Sequence, residues 1–431
     1  MVVAVARIDA ATGKTELASA RVAVQSAAAE RPRADALVRD RFVARRFNGR
    51  DNVLSGLSAV VAEGAAGLAF QSAEWIEHAL AIIQHRGIGE PVLIRIDDTV
   101  TGELVLAMPL VVGRRRGLTF AEGIDASVAD YCAPLVGHGM PTDVDAVAGA
   151  IWSAFSGALG DVDVIALDKI PEAVVGKATA LAAHPLARDS KFRGNRLEIA
   201  DTVDAFVALR GKRYRKEAER CRRRLEEMGT VRFRRMASAA EAEAAYRQLE
   251  TWQRERHLDA GHVYCLDEPD IRHFYLDLAL AHLDTGFVSI FELAVDDVPI
   301  AILYGTEHQG TFTLLRIADA GGVWKPVSPG RMVVLEMMRY EVARDVRSID
   351  MGIGDYPFKR WIGCEPYRLV DLVVARSIKG RPYVALDRLK SWARRHEQLR
   401  RAFQQIKRFS QGRAGKSGGS EPRDGDGQDE S

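Results

Sequence analysis

The densest set of groups able to do chemistry is one short run, Gly352-Ile353-Gly354-Asp355-Tyr356-Pro357-Phe358-Lys359-Arg360-Trp361. It follows an apolar stretch around Ile349 and Met351 that reads as a strand. Glycines at a strand end mark a bulge or the close approach of a ligand. An ammonium at Lys359 suits negative charge developing on a carbonyl oxygen or a leaving group. A carboxylate at Asp355 suits taking a proton from an amine, or orienting Lys359. The same two residues also fit a surface ion pair closing a loop. Tyr356 and Trp361 supply aromatic surface for a substrate. Glu292, between Phe291 and Leu293 on an expected strand, is a secondary candidate base.

A second constellation is Ser328-Pro329-Gly330-Arg331, which opens an expected helix with Val334, Met337, Met338 and Val342 on its buried face. Ser328 suits the N-cap and Pro329 the first helical position. Exposed amides at a helix start, together with the helix dipole, favour a diphosphate. Gly330 lets an anion approach the backbone and Arg331 adds positive charge. Ser-Pro-Gly is equally a plain helix cap. Upstream, Arg210 to Met228 places Tyr214, Ala218, Cys221, Leu225 and Met228 on one helical stripe and crowds cations, Arg213 among them, off it. That face reads either as solvated surface or as an anion-binding rim, with Arg213 and Tyr214 as substrate contacts.

The elements that must position these groups are mixed. Helices are expected at Ser72–Ile83, at Arg210–Met228, after Ser328 and from Leu386 to Phe409. Strands are expected at Pro91–Asp97, Leu104–Val112, Val162–Leu167, Val231–Arg235, Phe287–Val295, Val298–Gly305, Thr311–Ile317, Ser348–Met351 and Leu369–Ala375. Helices and antiparallel strands recur in both halves, which predicts an α+β fold rather than a doubly wound sheet. A two-fold repetition of whole domains is expected, with a boundary near Arg188 to Arg196.

Composition narrows the function classes. The chain has 431 residues, 47% hydrophobic and 28% charged, with 60 Lys+Arg against 59 Asp+Glu and a net charge of +1. This is globular composition, and near-neutrality argues against a binder whose whole surface is basic. No run of about 18 apolar residues predicts a membrane span. The four cysteines, Cys132, Cys221, Cys265 and Cys364, form no CxxC pair, which predicts a reducing, cytoplasmic setting. His257, His262 and Cys265 have no evident fourth ligand, so no metal is expected. Neither a GxSxG elbow nor a P-loop is present.

Taken in order, the basic helix, the strands around Val298-Pro299-Ile300-Ala301, Ser328-Pro329-Gly330, and the run Asp350-Met351-Gly352-x-Gly354-Asp355-x-x-Phe358-Lys359-x-x-Trp361 resemble the CelD/BcsL-type acetyltransferase family of the GNAT superfamily. The resemblance covers roughly residues 200–375, and Ala69-Phe70-Gln71-Ser72 followed by Trp75 resembles the start of that family's N-terminal half. It implies two tandem GNAT-like domains, each a mixed, mostly antiparallel sheet flanked by helices, as in Fem-type peptidoglycan-bridge transferases. The chain is expected to divide into a leader or edge strand (1–45), an N-terminal GNAT-like domain (46–195), a C-terminal acyltransferase domain ending in a basic helix (196–409) and a disordered tail (410–431).

The implied reaction is transfer of an acetyl or other acyl group from acyl-CoA to an amine or hydroxyl of a cell-envelope or polysaccharide-related acceptor, a small molecule or a glycan. Ser328, Gly330 and Arg331 stand where the superfamily's glycine-rich pyrophosphate loop lies, without its glycine-rich form. Lys359 resembles the family's Tyr/Phe-Lys lysine, a leaving-group assistant in Fem-type relatives. Two alternatives stay open: an aminoacyl-tRNA-dependent Fem-type transferase with tRNA on the basic helix, and a non-catalytic GNAT-fold binding protein.

Overall fold

Strands that read as unbroken apolar runs are covered on both faces. Every residue from Leu104 to Val111 is buried, as are Val288 to Val295 and Ile300 to Tyr304. Helices must therefore lie on both sides of the sheet. The structure is a computed structural model and describes residues 41–259, 261 and 264–395. The expected leader up to residue 40, His262, the terminal helix beyond residue 395 and the tail from 410 lie outside the described residues.

The first half runs β1 (Phe42–Asn48), α1 (Arg50–Ala62), α2 (Ala73–His85), β2 (Glu90–Asp98), β3 (Leu104–Arg115), β4 (Leu118–Gly123), α3 (Val144–Ala158), β5 (Val164–Pro171) and β6 (Arg188–Glu198). Two linking helices follow, α4 (Val203–Leu209) and α5 (Lys212–Met228). The second half repeats the order with β7 (Val231–Arg235), α6 (Ala239–Asp259), α7 (Pro269–His282), β8 (Val288–Val295), β9 (Val298–His308), β10 (Thr311–Asp319), α8 (Pro329–Val342), β11 (Ser348–Asp350), a short α9 (Pro357–Ile362) and β12 (Glu365–Ala375). A last helix, α10 (Arg381–Arg395), packs on the end of β12.

The expected α+β class and tandem repeat are present, but the two sheets are one. Its strand order is β1-β2-β3-β4-β5-β12-β6-β11-β10-β9-β8-β7, and Leu135–Val136 adds a short strand against β3. Within each half the first four strands pair antiparallel, and the fourth pairs parallel with the fifth. The last strands are then exchanged. β12 pairs with β5 of the first half, β6 pairs with β11 of the second, and β6 and β12 pair antiparallel with each other. Arg188–Arg196, expected as the boundary, thus forms most of a central strand. Of the two readings of residues 1–45, the edge strand holds for 42–45, which belong to β1.

One face of the sheet holds α1, α2, α6 and α7 in a single core shared by both halves. Trp75 of α2, fully buried, meets Phe274 of α7 edge-on with ring centroids 4.8 Å apart. Ser72 starts α2 by accepting a hydrogen bond from the Trp75 amide. On the other face lie α3 in the first half and α4, α5 and α8 in the second. The expected stripe of α5 is buried there through Tyr214, Ala218, Cys221 and Leu225, while Met228 is exposed.

Glu341 on α8 is fully buried, and neither of its carboxylate oxygens has a hydrogen bond within the protein. Burial pushes its pKa up to about 7. The native state therefore keeps a proton that the unfolded chain loses near its ordinary value of about 4.3. Stability falls as pH rises through the window between these values and is level above it. Glu341→Gln is expected to stabilise the protein by up to about 3 kcal/mol at pH 8 and by little at pH 4.5. Thermal melts of both proteins at the two pH values check this.

Candidate functional site at a split in the sheet

β10 and β11 run parallel but pair only through Thr311–Ser348, Phe312–Ile349 and Thr313–Asp350. β11 ends there, whereas β10 continues to Asp319. Among the described residues no strand pairs with the β11 side of β10 beyond Thr313, and we call this split in the sheet the V. Crevices beyond the carboxyl ends of parallel strands are where such sheets bind ligands.

The segment leaving β11 forms one wall of the V, and buried polar groups hold it. Gly352 and Gly354 have φ of +69° and +97°, which L side chains rarely adopt. A Cβ on Gly352 would also collide with the Asp130 carboxylate. Asp350 accepts from Tyr131 Oη at 2.7 Å, Tyr367 Oη at 2.8 Å and the Gly352 amide at 2.7 Å. Asn195 Nδ2 donates to the carbonyls of Gly352 (2.8 Å) and Gly354 (2.9 Å). Lys359 Nζ donates to those of Gly352 (3.1 Å) and Ile353 (2.6 Å). The Ile353 amide donates to Asp130 Oδ2 at 3.1 Å.

Electrostatics sharpens the picture. Burial lowers the Lys359 pKa, opposed by the nearby Asp130 and Asp350 carboxylates. Burial raises that of Asp350 despite its three donors. Asp130, half-buried on a loop of the first half, is pushed up to about 6, chiefly by burial. A carboxylate poised there can exchange protons near neutrality.

Of the residues singled out from sequence, Lys359 and Tyr356 lie in this wall, with Lys359 Nζ 5.4 Å from the centroid of the exposed Tyr356 ring. Asp355 does not orient Lys359. Its exposed carboxylate pairs with Arg360 at 2.5 Å. Glu292 is not at the V either. It is buried on β8, bonded to Arg234 at 2.9 Å, and β8 lies two strands from β10, the nearer side of the V, roughly 10 Å away. Arg331, Trp361 and Tyr214 come together beside the wall. The Arg331 guanidinium lies 3.9 Å from the Trp361 ring centroid, and the Trp361 and Tyr214 rings are 4.3 Å apart. Arg213 is exposed on α5.

The start of α8 differs from the cradle of exposed amides that sequence suggested. Ser328 is left-handed, with φ of 50°, and its side chain makes no capping bond. The Arg331 and Met332 amides already bond to the Ser328 carbonyl, and Pro329 has no N–H, which leaves the Gly330 amide. A Cβ on Gly330 would lie 3.1 Å from Asp319 Oδ2, so a carboxylate already serves this helix end. The free donors lie to one side. The Tyr214 hydroxyl and Arg210 Nε are buried without a hydrogen bond in the protein, and Arg331 pairs with no carboxylate among the described residues. Burial pushes the Tyr214 hydroxyl up to about 12, so it stays a donor. These groups fit phosphate oxygens.

Comparison with known proteins now bears on this geometry. Residues 212–360 match the family model described as an acetyltransferase (GNAT) domain. The matched segment contains β10, β11 and the run to Arg360, but not Asp130, Tyr131, Asn195 or Tyr367. The match shows a GNAT domain and does not single out the CelD/BcsL-type family. The crystal structure of FemX superposes with a TM-score of 0.54 at 12% identity, covering 79% of this chain and 99% of that one. The C-terminal domain of a putative lysylphosphatidylglycerol synthetase from Agrobacterium fabrum gives 0.43 at 11% identity (78% and 96% covered). A tandem GNAT protein from the clavulanic acid biosynthesis pathway gives 0.37 at 12% identity (78% and 99% covered). The likeness to FemX is one of fold. No curated protein matches the chain by sequence.

Four residues of the wall were not singled out from sequence: Asp130, Tyr131, Asn195 and Tyr367. Tyr131 and its partner Asp350 are 219 residues apart, and no local motif marks the pair. Because Lys359 holds two carbonyls of the wall, Lys359→Met is expected to cost about 2–4 kcal/mol of stability even without ligand. Thermal melting of the ligand-free variant checks this; an unchanged Tm would show that the lysine does not carry the loop.

Proposed function

We propose that the protein is an acyltransferase that moves an acetyl or other acyl group from acyl-CoA to an amine or hydroxyl of a cell-envelope or polysaccharide-related acceptor. The observation that carries this reading is the V between β10 and β11, with one wall fixed by Lys359 and Asp130. A thioester carbonyl in the V faces β10 amides that no strand occupies, and such preorganised donors stabilise a tetrahedral oxyanion. Arg331, Arg210 and the Tyr214 hydroxyl hold the phosphate groups of the donor. Asp130 takes the proton from the attacking amine or hydroxyl. Lys359 acts as a positioning residue through the Gly352 and Ile353 carbonyls. The active domain is the 196–409 portion, and the 46–195 portion supplies Asp130 and Tyr131. The acceptor class rests on the CelD/BcsL-type resemblance.

A donor carried on tRNA is the second reading. The observation favouring it is the first turn of α5, where Lys212, Arg213 and Lys216 are exposed and form no ion pair among the described residues. Acetyl-CoA at about 100 times its Kd is expected to stabilise the fold by about 2.7 kcal/mol. Differential melting with acetyl-CoA, CoA and charged tRNA decides between donors; a shift with charged tRNA alone would overturn the acyl-CoA reading. With a competent acceptor, kcat/KM is expected to rise with pH through about 6 as Asp130 ionises. Asp130→Asn should remove that limb and lower kcat about 10²-fold or more. A pH–rate profile of wild type and variant, followed by release of CoA thiol, reads both effects.

A further inference from the structure

α10 carries two apolar faces, and one of them packs against the sheet. Val384 and Tyr383 pack on Phe120, Val164, Ala166 and Val373, and Asp387 pairs with Arg188 at 2.6 Å. Turned away from them are Leu386 and Leu389, 49% and 58% exposed, and Ile378, in the preceding turn, at 78%. At about 100° per residue, Ala385, Leu386, Leu389 and Ala393 fall within one arc of roughly 100°. Arg381 and Arg388 border that arc on one side and Lys390 on the other.

The charge of this region departs from that of the chain. Residues 376–393 contain five Lys and Arg against one Asp, a formal +4 in a protein whose total is +1. Such a surface seeks an anionic partner. The groups between the cations include the aliphatic side chains of Leu386, Leu389 and Ile378, which gain free energy by entering an acyl-chain boundary. No helix of the described residues is long and apolar enough to cross a membrane, so such a helix would lie along the surface.

We infer that α10 docks the protein onto an anionic lipid surface, with Leu386 and Leu389 inserted and Arg381, Arg388 and Lys390 against the headgroups. This does not depend on the acyltransferase reading. The test is sedimentation of the full chain with large unilamellar vesicles of phosphatidylcholine, alone or mixed two to one with phosphatidylglycerol. Binding to the mixed vesicles is expected to be at least about tenfold tighter and to weaken as salt rises. Leu386→Ser with Leu389→Ser, and separately Arg388→Glu with Lys390→Glu, should each weaken it about tenfold or more without changing Tm. Equal affinity for both vesicles, or full binding by the double serine variant, would overturn the inference. So would a wild-type dimer that the serine variant converts to monomer while neither protein binds vesicles, because the stripe would then face a second copy.

Discussion

The antiparallel pairing of β6 with β12 makes two repeats one molecule. Each half ends in a strand that its own sheet does not keep, and the exchanged strands meet at the centre. A hinge between two domains would leave their facing surfaces free to separate. Here the main-chain ladder runs through the junction, and the aromatic contacts of α2 with α7 close it from one side. The V between β10 and β11 therefore sits beside a seam that cannot open without breaking strand hydrogen bonds.

That rigidity suits the chemistry. The wall of the V turns through two left-handed glycines, a conformation that glycine adopts freely and that its surroundings must fix. The surroundings come from three parts of the chain: a loop of the first half (Asp130, Tyr131), the exchanged strands (Asn195, Tyr367) and the second half itself (Asp350, Lys359). The carbonyls of Gly352, Ile353 and Gly354 each accept from Asn195 or Lys359. The site is thus composite, although the family match spans only the second half.

Much of this was legible in the residues. Alternation and apolar runs gave most of the strands, and the stripe on α5 predicted its buried face. The run from Asp350 to Trp361 pointed to the wall because glycines at a strand end and a lysine in an apolar setting are locally unusual. Three things were not legible. β6 reads Arg-Asp-Ser-Lys-Phe-Arg-Gly-Asn-Arg-Leu-Glu, polar enough to pass for a linker, because its flanking strands satisfy its backbone while its charges pair across them. Asp130 and Tyr131 carry no motif, since their meaning is their distance from β11 in space. The partners of Asp355 and Glu292 were also hidden: Arg360 and Arg234 neutralise them, and spacing alone does not say which cation a carboxylate will choose.

The strand exchange has a consequence for how the chain acquires its shape. β5 waits for a neighbour some two hundred residues downstream, and β6 waits for β11. While the polypeptide is being made, the first repeat stays one ladder short until nearly all of the second has emerged. Contacts of such long sequence separation slow folding, because loop closure is paid before the contact rewards it. A ribosome-bound intermediate of this protein is therefore an unfinished sheet with an open edge, the kind of surface that recruits chaperones or captures a neighbouring nascent copy.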